Sequence, residues 1–228
     1  TTLSFDEFLR PSDDLRPVLF WAINERLNDK KLARQYRDIR RRGFGGVIYH
    51  ARAGLITEYL GKGWLDGLAV VLDAAREAGG HVWLYDEDRW PSGQAGGQVT
   101  ARRPELRQAW LEPIWLPAGA PCALAGPDAP VLAVYLIRER AGLRRARVER
   151  GDAQQAGDLA TERLVLRLRR AEPTSWWNGR PPVNLLNPAT AETLLALTHD
   201  VYRQRFGREF GRLISGIFTD EPRLPVLP

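Results

Sequence analysis

The chain has 228 residues, 44% hydrophobic and 27% charged, with a net charge of +5 at pH 7; this suits one large domain or two small ones of ordinary globular make-up. No apolar run approaches the roughly 18 residues of a membrane span, and TTLSFDEFLRPSDD lacks the basic start and apolar block of a secretory signal. No membrane partner and a cytoplasmic setting are therefore expected, and the single cysteine, Cys122, excludes an internal disulfide.

The cations are nearly all arginine; only Lys30, Lys31 and Lys62 are lysines. They are interleaved with acids, as in RERAGLRRARVER, so the basic balance reads as solvated, ion-paired faces and no nucleic-acid partner is expected. RPVLFWAIN (16–24) is an apolar, aromatic run behind a proline-containing loop and predicts a buried strand. NDKKLARQYRDIRRRG predicts a helix capped by Asn28, with Leu32, Tyr36 and Ile39 on one face and Gly43 as its stop. GFGGVIYHAR (43–52) reads as a second strand. KGWLDGLAVVLDAAREAGG reads as a second helix with Trp64, Leu68, Val71 and Leu72 inward, and HVWLYDED as a third strand.

Strands alternating with helices in this way predict βαβ units and a parallel sheet. The rhythm then changes. Residues 104–112 are expected to form a short helix. APVLAVYLIRER, ARVER and TERLVLRLRR are expected to form antiparallel strands with one solvated face, with Arg167 and Arg169 on the same side. NPATAETLLALTHDVYRQRFG returns to a helix, with Asn187 as cap and Pro188 in the first position, and RLISGIFTDEP supplies a fourth strand. The expected architecture is a parallel α/β core over 1–112, a β-rich insertion over 113–183, and a continuation of the core over 184–228.

Parallel α/β folds carry their sites at the carboxyl ends of the strands. Those ends here bear Trp21 and Asn24; Tyr49, His50 and Arg52; Tyr85, Asp86, Glu87, Asp88, Arg89 and Trp90; and Thr219, Asp220 and Glu221. Aromatic faces beside hydroxyl-binding polar groups suit a carbohydrate. Hydrolysis of a glycoside needs two carboxyl groups, one to protonate the leaving oxygen and one to attack or to activate water. Glu221, just before Pro222, is the best acid candidate, since apolar walls there would favour its protonated form.

Asp86, Glu87 and Asp88 offer a second catalytic carboxylate, sugar contacts or a Ca²⁺ site; otherwise they begin a solvated loop. Asp86 and Asp88 would share one strand face and Glu87 the other. Gly93, Gly96 and Gly97 read as a turn that lets backbone pass close to the site. Trp176 and Trp177 read equally as a sugar platform or as turn packing. His81 and His199 read as structural, and a zinc site is not expected from so few His and one Cys.

FWAIN, GFGGVIYHARAGLITEYLG, LYDEDRWPSGQAGG and GIFTDEP resemble the N-terminal half of large bacterial glycoside hydrolases of the α-L-rhamnosidase-like kind, glycoside hydrolase family 106. The resemblance covers about residues 1–100 and 184–222. It implies a (β/α)8 TIM barrel of which this chain carries strands one to four, and a general acid after strand four, here Glu221; apart from the Ca²⁺ alternative no cofactor is expected. Such a barrel takes roughly 250 residues, so an incomplete catalytic domain is expected, inactive alone and self-associating through its open sheet edges. The alternatives are a non-catalytic carbohydrate-binding or degenerate barrel module, and an isomerase or lyase with a metal cluster.

Overall fold

The computed structural model describes residues 4–121, 129–140, 143–151 and 161–224. Cys122 and the adjoining residues to 128 lie outside them. An exposed helix, α1 (Phe5–Leu9), opens the chain; Ser4 and Glu7 close a reciprocal capping box at its start.

The parallel sheet consists of β1 (Val18–Ile23), β2 (Gly46–Ala51), β3 (His81–Tyr85) and β8 (Ile214–Phe218), side by side in chain order. All three pairings are parallel, with Trp21 opposite Tyr49, Tyr49 opposite Leu84 and Tyr85 opposite Phe218. Helix α2 (Asp29–Arg41) connects β1 to β2, and α3 (Lys62–Ala78) connects β2 to β3. Asn28 caps α2 by accepting from the Lys31 amide at 3.0 Å, and Arg40 and Arg41 lie in its last turn, where cations suit the dipole.

The two helices bury Leu32, Tyr36 and Ile39 of α2 and Trp64, Leu68, Val71 and Leu72 of α3 against one face of the sheet. That face presents Trp21, Ile23, Val47, Tyr49, Val82 and Leu84. Burial of each large apolar side chain here contributes about 1.5–3 kcal/mol. Gly67 permits this approach: a Cβ there would lie 2.9 Å from both the Leu27 Cδ1 and the Tyr49 hydroxyl.

The opposite face carries an aromatic cluster. Phe20 meets His50, Tyr85 and Phe218 at centroid distances of 4.5, 5.6 and 5.7 Å, and His50 lies 3.9 Å from Tyr85. Phe20 and Phe218 are 41% and 36% exposed.

The insertion is a second, antiparallel sheet in the order β4-β7-β5-β6, built from β4 (Ala109–Leu116), β5 (Val131–Arg140), β6 (Leu143–Gly151) and β7 (Glu162–Arg170). Val134, Leu136 and Val165 form its core. Arg167 donates to Glu112 at 2.8 Å, and Arg169 approaches the same carboxylate at 3.9 Å, so both arginines share a face as expected.

Residues 109–116 are strand, not the end of a helix, and the expected boundary at 113 falls inside β4. Pro113 obscures this strand in the sequence. It is tolerated because β4 is an edge, where a missing N–H breaks no ladder on the open side. The helical text before it is only α4 (Gln98–Arg102) and a 3-10 turn at Pro104–Leu106.

The expected long helix after Asn187 is two: α5 (Pro188–Leu197) and α6 (His199–Phe206). The break is at Thr198, whose hydroxyl donates to the Leu194 carbonyl at 2.7 Å and meets His199 Nδ1 at 2.8 Å. Tyr202 of α6 accepts from the Trp64 indole at 2.9 Å and so ties α6 to α3. Among the described residues no helix is long and apolar enough to cross a membrane.

Candidate functional site

The loop after β3 is organised by its acids. The Glu87 carboxylate is completely buried and accepts from backbone amides on both oxygens. Oε2 takes the amides of Gly93, Gln94 and Ala95 at 3.1, 2.7 and 2.9 Å; Oε1 takes that of Asp88 at 2.9 Å and that of Gly96. Successive amides turned inward make an anion nest, and here the anion belongs to the chain itself. Burial pushes the Glu87 carboxyl up to about 7, against the amides, which favour the charged form. Gly96 and Gly97 have φ of 64° and 86°, which glycine adopts without strain. A Cβ on Gly97 would also stand 2.5 Å from the Trp177 carbonyl.

Asp86 is 1% exposed and bridges two segments. Ser92 donates to its Oδ1 at 2.6 Å and Thr219 to its Oδ2 at 2.7 Å. Ser92 is joined to the end of β8 twice more: its amide donates to the Asp220 carbonyl at 2.8 Å, and its hydroxyl accepts from the Asp220 amide at 2.9 Å. Asp88 points a third way, accepting from Asn178 Nδ2 at 2.9 Å with Arg89 Nε at 3.6 Å. Arg89 in turn donates to the carbonyls of Ser175 and Trp176 and to Asn178 Oδ1, so the return turn of the insertion is clamped onto this loop.

Asp86, Glu87 and Asp88 are therefore buried side chains that hold the loop together, and their oxygens diverge. This corrects their alternative reading as the start of a solvated loop. Among the described residues no group of three or more His, Cys, Asp or Glu side chains converges as a metal site would require.

Trp21 and Tyr49 are corrected as well. Trp21 packs edge-on to Tyr49 at 6.3 Å, and the Tyr49 hydroxyl donates to the Trp64 carbonyl at 3.2 Å, so both belong to the helix-covered core and not to the rim. Asn24 is exposed beyond β1, where its carbonyl lies under Gly54, and Arg52 is half-buried beyond β2.

Five other residues of the expected set make contacts at the ends of β2, β3 and β8. His50 abuts Tyr85; Tyr85 donates to Asp220 Oδ2 at 2.7 Å; and Glu221 accepts from the Trp90 indole at 3.1 Å. Burial first, and then Asp220, pushes the Tyr85 phenol far above its usual range. His50 is fully buried, and neither ring nitrogen has a hydrogen-bond partner among the described residues. Desolvation, with a smaller contribution from Arg52, pushes it down to about 3. Glu221 is exposed rather than walled in by apolar groups. Its φ of 41° is in the left-handed region, which non-glycine residues seldom occupy, and such outliers gather at working sites.

Next to Glu221 is a pocket of about 490 Å³ lined by Trp90, Trp176, Trp177, Gln94, Gln108 and Arg223, among others. The Trp176 indole donates to the Trp90 carbonyl at 2.6 Å, and Trp176 and Trp177 meet edge-to-face at 6.3 Å. Three residues here escaped sequence reasoning: Ser92, Asn178 and Arg223. The Asn178-Gly179 pair carried a signal, since asparagine tolerates the left-handed turn it adopts at φ 54°. Ser92 and Arg223 have none, because their importance lies in contacts across the chain.

Comparison of the chain with protein-family models, with characterised proteins and with solved structures gave no match.

Proposed function

We propose that this chain is part of a glycoside hydrolase, with the first four strands of a (β/α)8 barrel and Glu221 as general acid. The observation that carries the reading is Glu221 itself. An exposed carboxyl is held in a left-handed conformation, with one oxygen engaged by the Trp90 indole, at the lip of a tryptophan-lined pocket. The indole N–H orients the carboxyl through Oε2 and leaves Oε1 to carry the proton for the glycosidic oxygen. Indole faces pack against the apolar faces of a sugar ring. The chain order of the parallel strands and the exposed Phe20 and Phe218 on the face away from the helices support the barrel.

Hydrolysis needs a second carboxyl group. Asp86, Glu87 and Asp88 are committed to the loop, so Asp220, held by Tyr85, is the remaining acid at this end of β8. That commitment favours the second reading, a carbohydrate-binding module without turnover.

Assay of the intact chain on aryl glycosides, α-L-rhamnosides included, with calorimetric titration of the same compounds, decides between them. Glu221→Gln is expected to abolish hydrolysis and to keep binding. Turnover by the variant at the wild-type rate refutes the assignment of the acid. Binding without turnover by the wild type establishes the module.

A further inference from the structure

We infer that the tryptophan-lined pocket beside Glu221 is a subsite for a uronic acid ring, with Arg223 as the group that selects its carboxylate. The inference rests on reading this end of the sheet as a carbohydrate site, and adds the class of sugar.

The pocket has aromatic walls set in place before any ligand arrives. The Trp90 and Trp176 indole N–H groups are both spent inside the protein, on Glu221 Oε2 and on the Trp90 carbonyl, which fixes the ring planes and leaves their faces for stacking. Arg89 steadies Trp176, with its guanidinium over the ring at 5.7 Å from its centre and its hydrogen bond to the Trp176 carbonyl at 2.8 Å. Trp176 remains 40% exposed, so a face is open to a ligand. The volume of about 490 Å³ is in the range of small-molecule sites.

The polar groups in this pocket are unequal. Gln94 has its carbonyl oxygen taken by the Val183 amide at 2.9 Å, so it offers the pocket a donor rather than an acceptor. Arg223 is exposed, lines this pocket and makes no ion pair with any acid among the described residues. An unpaired guanidinium at the edge of an aromatic pocket matches a planar carboxylate, which it can grip through two parallel hydrogen bonds. A neutral hexose would fill the same walls and leave that fork unused. Because the Trp90 indole touches Glu221 along one edge and lines the pocket with its ring, the bound uronate sits next to the acid, adjoining the bond to be cleaved.

The test is calorimetric titration of the intact chain with short galacturonate and glucuronate oligomers, each against its fully methyl-esterified form, which keeps linkage and shape and removes the charge. One uronate series is expected to bind about tenfold more tightly than its ester, the size of a single charge-assisted interaction. Arg223→Gln should bring the two within about twofold by weakening only the acid form, and Trp176→Ala should weaken both. The inference is overturned if neither uronate series outbinds its ester, or if Arg223→Gln keeps the preference. If aryl glycosides are cleaved in a Glu221-dependent way while no uronate preference appears, the pocket assignment fails and the hydrolase stands. Selective uronate binding with no cleavage of any glycoside upholds the pocket and refutes the hydrolase.

Discussion

Acid should weaken this protein through His50, and the effect can be isolated. The ring is buried between Phe20 and Tyr85 with both nitrogens unpartnered among the described residues, so it must stay neutral in the folded state, and its pKa is pushed down to about 3 from the usual 6.5 of a free imidazole. A depressed folded-state pKa means that the unfolded chain takes up the proton first. Stability from this group is therefore full above pH 6.5 and falls as pH drops toward 3. Each pH unit inside that window removes about 1.4 kcal/mol. From pH 7 to pH 5 the loss is about 2 kcal/mol, a ceiling because water reaches the cluster at the exposed edge of Phe20. The facing groups are Arg52, whose charge adds to the depression, and the Tyr85 phenol, which stays neutral in this range. His50→Leu removes the titrating ring at similar volume and should be neutral or slightly stabilising at pH 7, since it also removes two unsatisfied polar atoms. Urea unfolding of both proteins at pH 7, 6 and 5 gives the answer. The wild type should lose up to about 2 kcal/mol more than the variant between pH 7 and 5. Parallel pH profiles would show that His50 finds a proton acceptor or solvent in the folded state, and the reasoning would fail.

Glu87→Gln keeps the shape of the side chain but places an amide NH2 where one carboxylate oxygen accepts two backbone amides. Stranding them costs about 2–6 kcal/mol, with release of the buried charge pulling toward the lower figure. Faster hydrogen exchange at Asp88 and Gly96 together with a lower urea midpoint is the expected result, and unchanged exchange contradicts the role given to Glu87. The open edges at β1 and β8, with Phe20 and Phe218 exposed beside them, should make the chain self-associate. Sedimentation velocity across a concentration series checks this, and a single monomeric boundary throughout refutes it.

The strands of the parallel sheet are legible in the sequence because each is a dense apolar run ended by polar residues, and the helices because Asn28, Asn187 and Pro188 mark their starts. The faces were not legible. Trp21 and Phe20, or Tyr49 and His50, are neighbours of similar character, and nothing in an unbroken apolar run says which of each pair meets the helices. Only the packing of Trp64 and Tyr36 decides it. Charge misled in a different way. Three adjacent acids look reactive when the partners of their oxygens are unseen, yet the clue for Glu87 was present: a glycine-rich turn just downstream can curl its amides around a carboxylate. Pro113 hid β4 because a proline reads as a strand breaker, and edge position is a property of the assembled sheet.

The strands that leave and re-enter the parallel domain run together like the two sides of a zip. Ala109 faces Arg170 across β4 and β7, the Ala171 amide bonds to the Gln108 carbonyl, and the Gln108 and Asn184 amides bond to the Pro182 and Leu106 carbonyls. An appendage with so narrow a root can lengthen, shrink or be exchanged at its far end with little disturbance to the four-stranded sheet. Its root is a different matter. The turn that carries Trp176, Trp177 and Asn178 lies there, so variation in the outer strands is buffered, while changes at the neck would reshape the pocket directly.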